Sequence, residues 1–219
     1  DWIRLLIFLF SVAASLLCIT LHELSHGYAA YRLGDPTAKR AGRLTLNPIK
    51  HIDLMGLLMM VVAHVGWAKP VPIDMRNFKH PVRDMAITAA AGPISNVILA
   101  FLALCIRAGA IYVNQKTGGV ISGFIITFTE YTAILSVGLA VFNVIPIPPL
   151  DGSKVLNSLL PQNVYYKILR YERYGFLVMM LVLYTGILDT PLDFCRNALL
   201  SGLGTISAFP YYILRGIFG

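Results

Sequence analysis

Charge is scarce in this chain: 18 Lys and Arg and 11 Asp and Glu make up 13% of the 219 residues, about half of the ~25% usual in a soluble domain. With so little charge and 57% hydrophobic residues, the chain is neither an ordinary water-soluble globule nor a disordered segment. Cysteine is scarce too. Cys18, Cys105 and Cys195 are far apart and none sits in a CxxC pair, which argues against a disulfide framework and a thiolate zinc site. The net charge of +7 does not indicate nucleic-acid binding, because in so apolar a chain Lys and Arg are expected to flank membrane spans.

What the sequence does have is long apolar runs. Residues 2–33, 85–113 and 121–147 are each long enough to cross a bilayer, which takes about 20 residues. Residues 174–188 and 199–214 are shorter runs that also read as spans. The expected fold is an all-α polytopic membrane protein of about five transmembrane helices, with a core over residues 1–160 and C-terminal membrane helices over 161–219.

Residues 34–84 interrupt this pattern. Prolines at 36, 48, 70, 72 and 81 and eight Lys or Arg forbid one continuous helix. The stretches GRLTLNP and AKPVPIDM read as strands, so a small membrane-associated β-sheet is expected between the first and second spans. Residues 52–67 are apolar but short for a span. If they crossed the membrane, basic residues would divide five to eight between the two sides. If they dip in and return, loops 34–84 and 148–173 share one side with twelve Lys or Arg, against Lys116 alone in the opposite loop. The positive-inside rule favours the second arrangement: a re-entrant segment with both basic loops cytoplasmic.

The chemistry is concentrated in HELSH, at His22, Glu23, Leu24, Ser25 and His26. Two His at i and i+4 stand one above the other on a helix and can meet a single zinc, while Glu23 can reach the water that the zinc activates. Ionisable groups in a membrane helix cost ~2.5–3.5 kcal/mol each on insertion scales, which favours a functional reading. A catalytic zinc wants a third protein ligand, and the candidates are Asp151, His51, His64, His80, Asp53, Asp84 and Glu130. Asp151 is the strongest of them. It closes FNVIPIPPLDG, where Pro146, Pro148 and Pro149 break the helix and Gly152 permits a turn. Asn143 and Asn96 are amides within spans, each suited either to a substrate carbonyl or to an interhelical bond. Glu130 reads as an interhelical partner, His51 and His80 as surface residues, and Cys18 as packing.

HELSH on one span, AGPISN on a second and FNVIPIPPLDG ending a third resemble the site-2 protease family of intramembrane zinc metalloproteases, in particular its short bacterial and archaeal branch without a PDZ domain. The resemblance covers about residues 10–160. It implies one zinc per chain held by His22, His26 and Asp151, Glu23 as catalytic acid/base and Asn143 as a group that orients substrate. It also implies a multi-pass protein of a prokaryotic inner or plasma membrane, acting on a single-span membrane protein near the cytoplasmic face. Such a substrate has to be unwound before it is cut, and an edge strand from residues 37–50 or 68–78 is expected to hold it by strand addition. The competing classes are a metal or ion transporter using His22, His26, Asp151 and Glu130, and a catalytically silent relative that binds membrane proteins. The order of HELSH and then LDG argues against the first, and the intact Glu23 disfavours the second. Single cysteines placed in 34–50 and in 68–84 are expected to react with an impermeant thiol reagent from the same face; labelling from opposite faces would reverse the topology.

Overall fold

The computed structural model describes residues 2–56, 58 and 67–218. Long apolar stretches that must satisfy their own backbone polar groups in lipid become helices, and three of them are long and apolar enough to cross a membrane: α1 (Trp2–Arg32), α2 (Pro81–Thr117) and α3 (Val120–Val144). At ~1.5 Å per residue, α1 and α2 run to about 46 and 55 Å, well beyond a ~30 Å hydrocarbon layer. α4 (Asp151–Asn157), α5 (Gln162–Tyr184), α6 (Asp189–Ile206) and α7 (Phe209–Phe218) follow. Gly118 joins α2 to α3. It takes a positive φ of 60° and donates its N–H to Asn114 O at 2.8 Å, the left-handed helix stop that costs glycine least.

Among the described residues the expected count of about five spans is corrected to three, or four if the helices on either side of residues 185–188 make one broken span. The physical reason is length. The uncharged stretch from Tyr174 to Tyr184 ends at Gly186, where φ is positive, and 11 helical residues reach only about 16 Å.

The expected β-sheet is also corrected. Among the described residues there is no sheet, only an isolated antiparallel bridge between Ile52 and Ala68. Within GRLTLNP and its surroundings the chain makes a helical turn at Thr37–Arg40 and a 3-10 turn at Pro48–Lys50, and after AKPVPID another 3-10 turn at Met75–Asn77. Prolines at 70 and 72 deny the second stretch two of the donors a ladder needs. Residues 57 and 59–66, on which most of the re-entrant reading falls, lie outside the described residues, as does His64.

The chain divides into two compact units, with α1, α2 and α3 each contributing to both. The first comprises residues 1–18, 96–141 and 189–219. Its centre is Ala100, Ala103, Ala133 and Val137, with Leu199, Leu200 and Leu203 against them. Small residues let backbones approach where lipid offers no hydrophobic drive between helices. Cys18 is buried here, its Sγ accepting from Ser136 Oγ at 3.3 Å, and Glu130 accepts from Arg107 at 3.4 Å. The packing role of Cys18 and the interhelical role of Glu130 are thus as expected.

The second unit comprises residues 19–95 and 142–188. Ala30, Phe78 and Met85 form an apolar cluster with Leu33, Ile73 and Met75. Beside it Asp35, fully buried, accepts from the backbone N–H and hydroxyl of Thr37, from Asp74 N–H at 2.7 Å and from Asn77 Nδ2 at 2.7 Å. Burial pushes the Asp35 carboxyl up, but these donors outweigh it and hold the pKa below its ordinary value. A depressed carboxylate contributes stability above its unfolded-state pKa and loses it as pH falls through the lowered folded value. Asp35→Asn is therefore expected to destabilise the protein by about 1–3 kcal/mol at neutral pH, with the melting-temperature gap from wild type closing below about pH 4; thermal unfolding in detergent across pH checks this.

Candidate metal centre

The i, i+4 spacing on α1 brings His22 and His26 onto one stripe, with Nε2 atoms 3.1 Å apart. Both are buried. After α3 the sequence IPIPPL cannot continue a helix, and it includes a cis peptide between Pro148 and Pro149. The chain then re-enters a helix at Asp151, the first residue of α4, whose side chain is turned inward and 8% exposed. Its Oδ2 lies 3.2 Å from His22 Nε2 and 3.1 Å from His26 Nε2. These three residues form a buried candidate metal group.

The donor set fits zinc on two grounds. A tetrahedral ion with bonds of ~2.0 Å has ligand-to-ligand edges of about 3.3 Å, close to the observed triangle. The charges agree as well. An ionised carboxylate oxygen and two imidazole nitrogens converging in a buried space need a positive charge between them.

The neighbouring helix orients the ligands. His26 Nδ1 lies 2.8 Å from the carbonyl oxygen of Thr88 on α2. A carbonyl only accepts, so Nδ1 carries a proton and Nε2 is left to face the metal position. α2 comes this close because residue 92 is glycine. A methyl group there would overlap the His26 imidazole and lie 2.7 Å from His22 Cε1. Glu23, half-buried, projects from α1 between the two His in sequence, and its Oε2 accepts the backbone N–H of Val71 at 3.0 Å. Asn143 lies in the last turn of α3, half-buried, in the same compact unit.

The other expected candidates are placed elsewhere. Asp53 accepts from Gly56 N–H at 2.8 Å. Asp84 reaches back to His80 N–H at 3.0 Å and caps the start of α2. His80 is exposed, as expected, whereas His51, expected at the surface, is 1% exposed with Nε2 bonded to Thr45 O at 2.9 Å. Its basic, proline-rich surroundings hid that burial, which depends on the path of a loop. Asn96 is fully buried, and neither amide atom has a partner among the described residues. The residues that sequence reasoning missed are Thr88, Gly92, Val71 and Arg43. Glycine followed by Pro93 inside a span was the one available signal, since both disfavour a helix interior and tend to mark close packing or function there.

Comparison with known proteins agrees with this geometry. The family described as Peptidase family M50 matches residues 108–185, a stretch containing Asn143 and Asp151. The chain is 38% identical over 179 residues to YwhC of Bacillus subtilis (strain 168), covering 80% of each; that protein's name describes it as a candidate zinc metalloprotease. The chain belongs to peptidase family M50. It is a zinc metalloprotease of the site-2 protease type. Rip2 of Mycolicibacterium smegmatis (strain ATCC 700084 / mc(2)155), similarly named, is 29% identical over 187 residues, covering 84% of this chain and 70% of that one. SA1105 of Staphylococcus aureus (strain N315) is 32% identical over 88 residues, which is 40% of this chain and 20% of that one. No solved structure matches the chain.

As an M50 peptidase whose two His pack against a glycine, the protein is expected to lose metal when that space is filled. Gly92→Ala should lower zinc per chain to well under half of wild type, measured by elemental analysis of the purified protein. Full zinc retention would mean that α2 does not pack on the imidazoles as described.

Proposed function

We propose that this chain is an intramembrane zinc endopeptidase that hydrolyses a peptide bond within or near the transmembrane segment of a single-span membrane protein, with one zinc held by His22, His26 and Asp151. The observation that carries the reading is the buried triangle of ligand atoms with sides of 3.1–3.2 Å, next to a carboxylate already aimed by a backbone N–H. The three long apolar helices and the position of HELSH twenty residues into α1 support a site within the membrane. The bias of Lys and Arg to loops 34–84 and 148–173 supports one near the cytoplasmic face.

Zinc bound at this triangle supplies Lewis acidity, polarising a substrate carbonyl and lowering the pKa of water towards ~7. The chain's own residues do the rest. Glu23 Oε2 is engaged by Val71 N–H, which leaves Oε1 to take a proton from the attacking water as the new C–O bond forms. Glu23 then passes that proton to the amide nitrogen as the C–N bond breaks, so the carboxylate ends as it began. Thr88 O keeps the His26 ring in the tautomer that presents Nε2. Asn143, at the end of α3, is the amide proposed to orient the substrate carbonyl.

The test is co-expression with a panel of tagged single-span membrane proteins. Glu23→Gln should abolish cleavage, a loss of at least about a hundredfold for an acid/base group, while zinc content persists; Asp151→Ala should lose both. Cleavage by Glu23→Gln at the wild-type rate would overturn the mechanism, and full zinc in Asp151→Ala would remove Asp151 from the ligand set.

A further inference from the structure

Residues 68–74 meet Glu23 through Val71, and the way their polar groups are used suggests a positioning role. Within Pro70–Val71–Pro72 only Val71 has an N–H, because proline has none. That single donor goes to Glu23 Oε2 at 3.0 Å. The N–H of Lys69 is given to His51 O at 2.9 Å, and that of Asp74 to Asp35 Oδ2 at 2.7 Å. The carbonyls of Lys69 and Pro70 are held by one guanidinium, Arg43 Nη2 at 2.6 Å and Nη1 at 3.2 Å. Both N–H groups between residues 69 and 72 are therefore given to partners within the chain.

We propose that residues 68–74 form a fixed strap that aims the Glu23 carboxylate, and that Arg43 is the positioning residue that holds the strap. The inference rests on the reading of Glu23 as the acid/base. Arg43 is 7% exposed, and two of its three guanidinium nitrogens donate to the strap while Nε has no partner among the described residues; burying a guanidinium is costly unless its donors are used. Here a planar fork spans two consecutive carbonyls, an arrangement that suits Arg and that the single ammonium of Lys cannot reproduce. Arg43 itself is set by its backbone, whose N–H is bonded to Ala38 O at 2.9 Å, and the facing carbonyl of His51 belongs to a residue anchored through its ring to Thr45 O. The strap is thus pinned on both sides of Val71: by His51 and Arg43 before it and by Asp35 after it. Flanking prolines restrict its φ angles and remove competing donors.

Two measurements on the purified full-length chain in detergent test this. The first is amide hydrogen exchange read at Val71, which stands isolated between two residues with no amide hydrogen. Exchange at Val71 is expected to be slow in wild type and at least about tenfold faster in both Glu23→Ala and Arg43→Ala. The second is steady-state cleavage of a single-span protein that the wild type cuts. Arg43→Ala and Arg43→Lys are both expected to lower kcat about ten- to a hundredfold, as a misplaced group does, with KM within twofold and zinc content unchanged. Val71→Pro should do the same, and the Arg43→Lys/Val71→Pro pair should be no worse than either alone. Recovery of full kcat in Arg43→Lys, or unchanged Val71 exchange in Arg43→Ala, overturns the proposal. The functional reading fails separately: it falls if Glu23→Gln cleaves, whereas the strap falls if Glu23→Gln is dead and the Arg43 variants turn over like wild type.

Discussion

Three electron-rich atoms, His22 Nε2, His26 Nε2 and Asp151 Oδ2, lie 3.1–3.2 Å apart in a buried space, and this arrangement is unfavourable without a positive charge among them. Much of the surrounding unit makes sense as the means of holding that convergence. The turn of α1 supplies two imidazoles because residues four apart share a face. α2 lies against them because Gly92 has no side chain, and its Thr88 carbonyl then selects the tautomer of His26. The proline-broken link after α3 ends the helix where α4 can begin with Asp151 turned inward.

The irregular region between α1 and α2 has a related logic. A strand at the position of residues 68–74 would offer alternate donors to a neighbour. Here the prolines on either side of Val71 leave one donor, and that donor meets the carboxylate beside the metal group. The backbone polar groups are satisfied one at a time, by His51, Arg43 and Asp35, and not through a ladder. Such a segment is tied down without being secondary structure, which suits the proposed role of holding a single carboxylate in place.

The parts that were readable from sequence are those whose physics is local. HELSH is a statement about one helical turn, so the His pair was legible, as was Asp151 as a third candidate beside it, because helix-breaking prolines and a glycine announce a carboxylate at a span end. The three long spans were legible from hydropathy, with observed bounds within four residues of those read from the sequence. The short stretches GRLTLNP and AKPVPIDM, bounded by Gly or Pro, suggested strands, yet strand formation depends on an available partner and on N–H groups that Pro70 and Pro72 lack. His51 looked like a surface residue for the same reason: burial of a polar side chain in a loop is decided by what the rest of the chain lays over it.

The amino-acid sequence by itself determined that the chain is a membrane protein with a His-Glu-His element near the end of its first span and a carboxylate at the end of its third, because apolar length and helical spacing are properties of contiguous residues. Only the tertiary structure decided that Asp151 meets the two imidazoles, that Gly92 and Thr88 shape their setting, and that Arg43 is tied through Val71 to Glu23. Those contacts join residues dozens of positions apart, and no local preference specifies them; they form only when packing brings buried donors and acceptors from separate segments together.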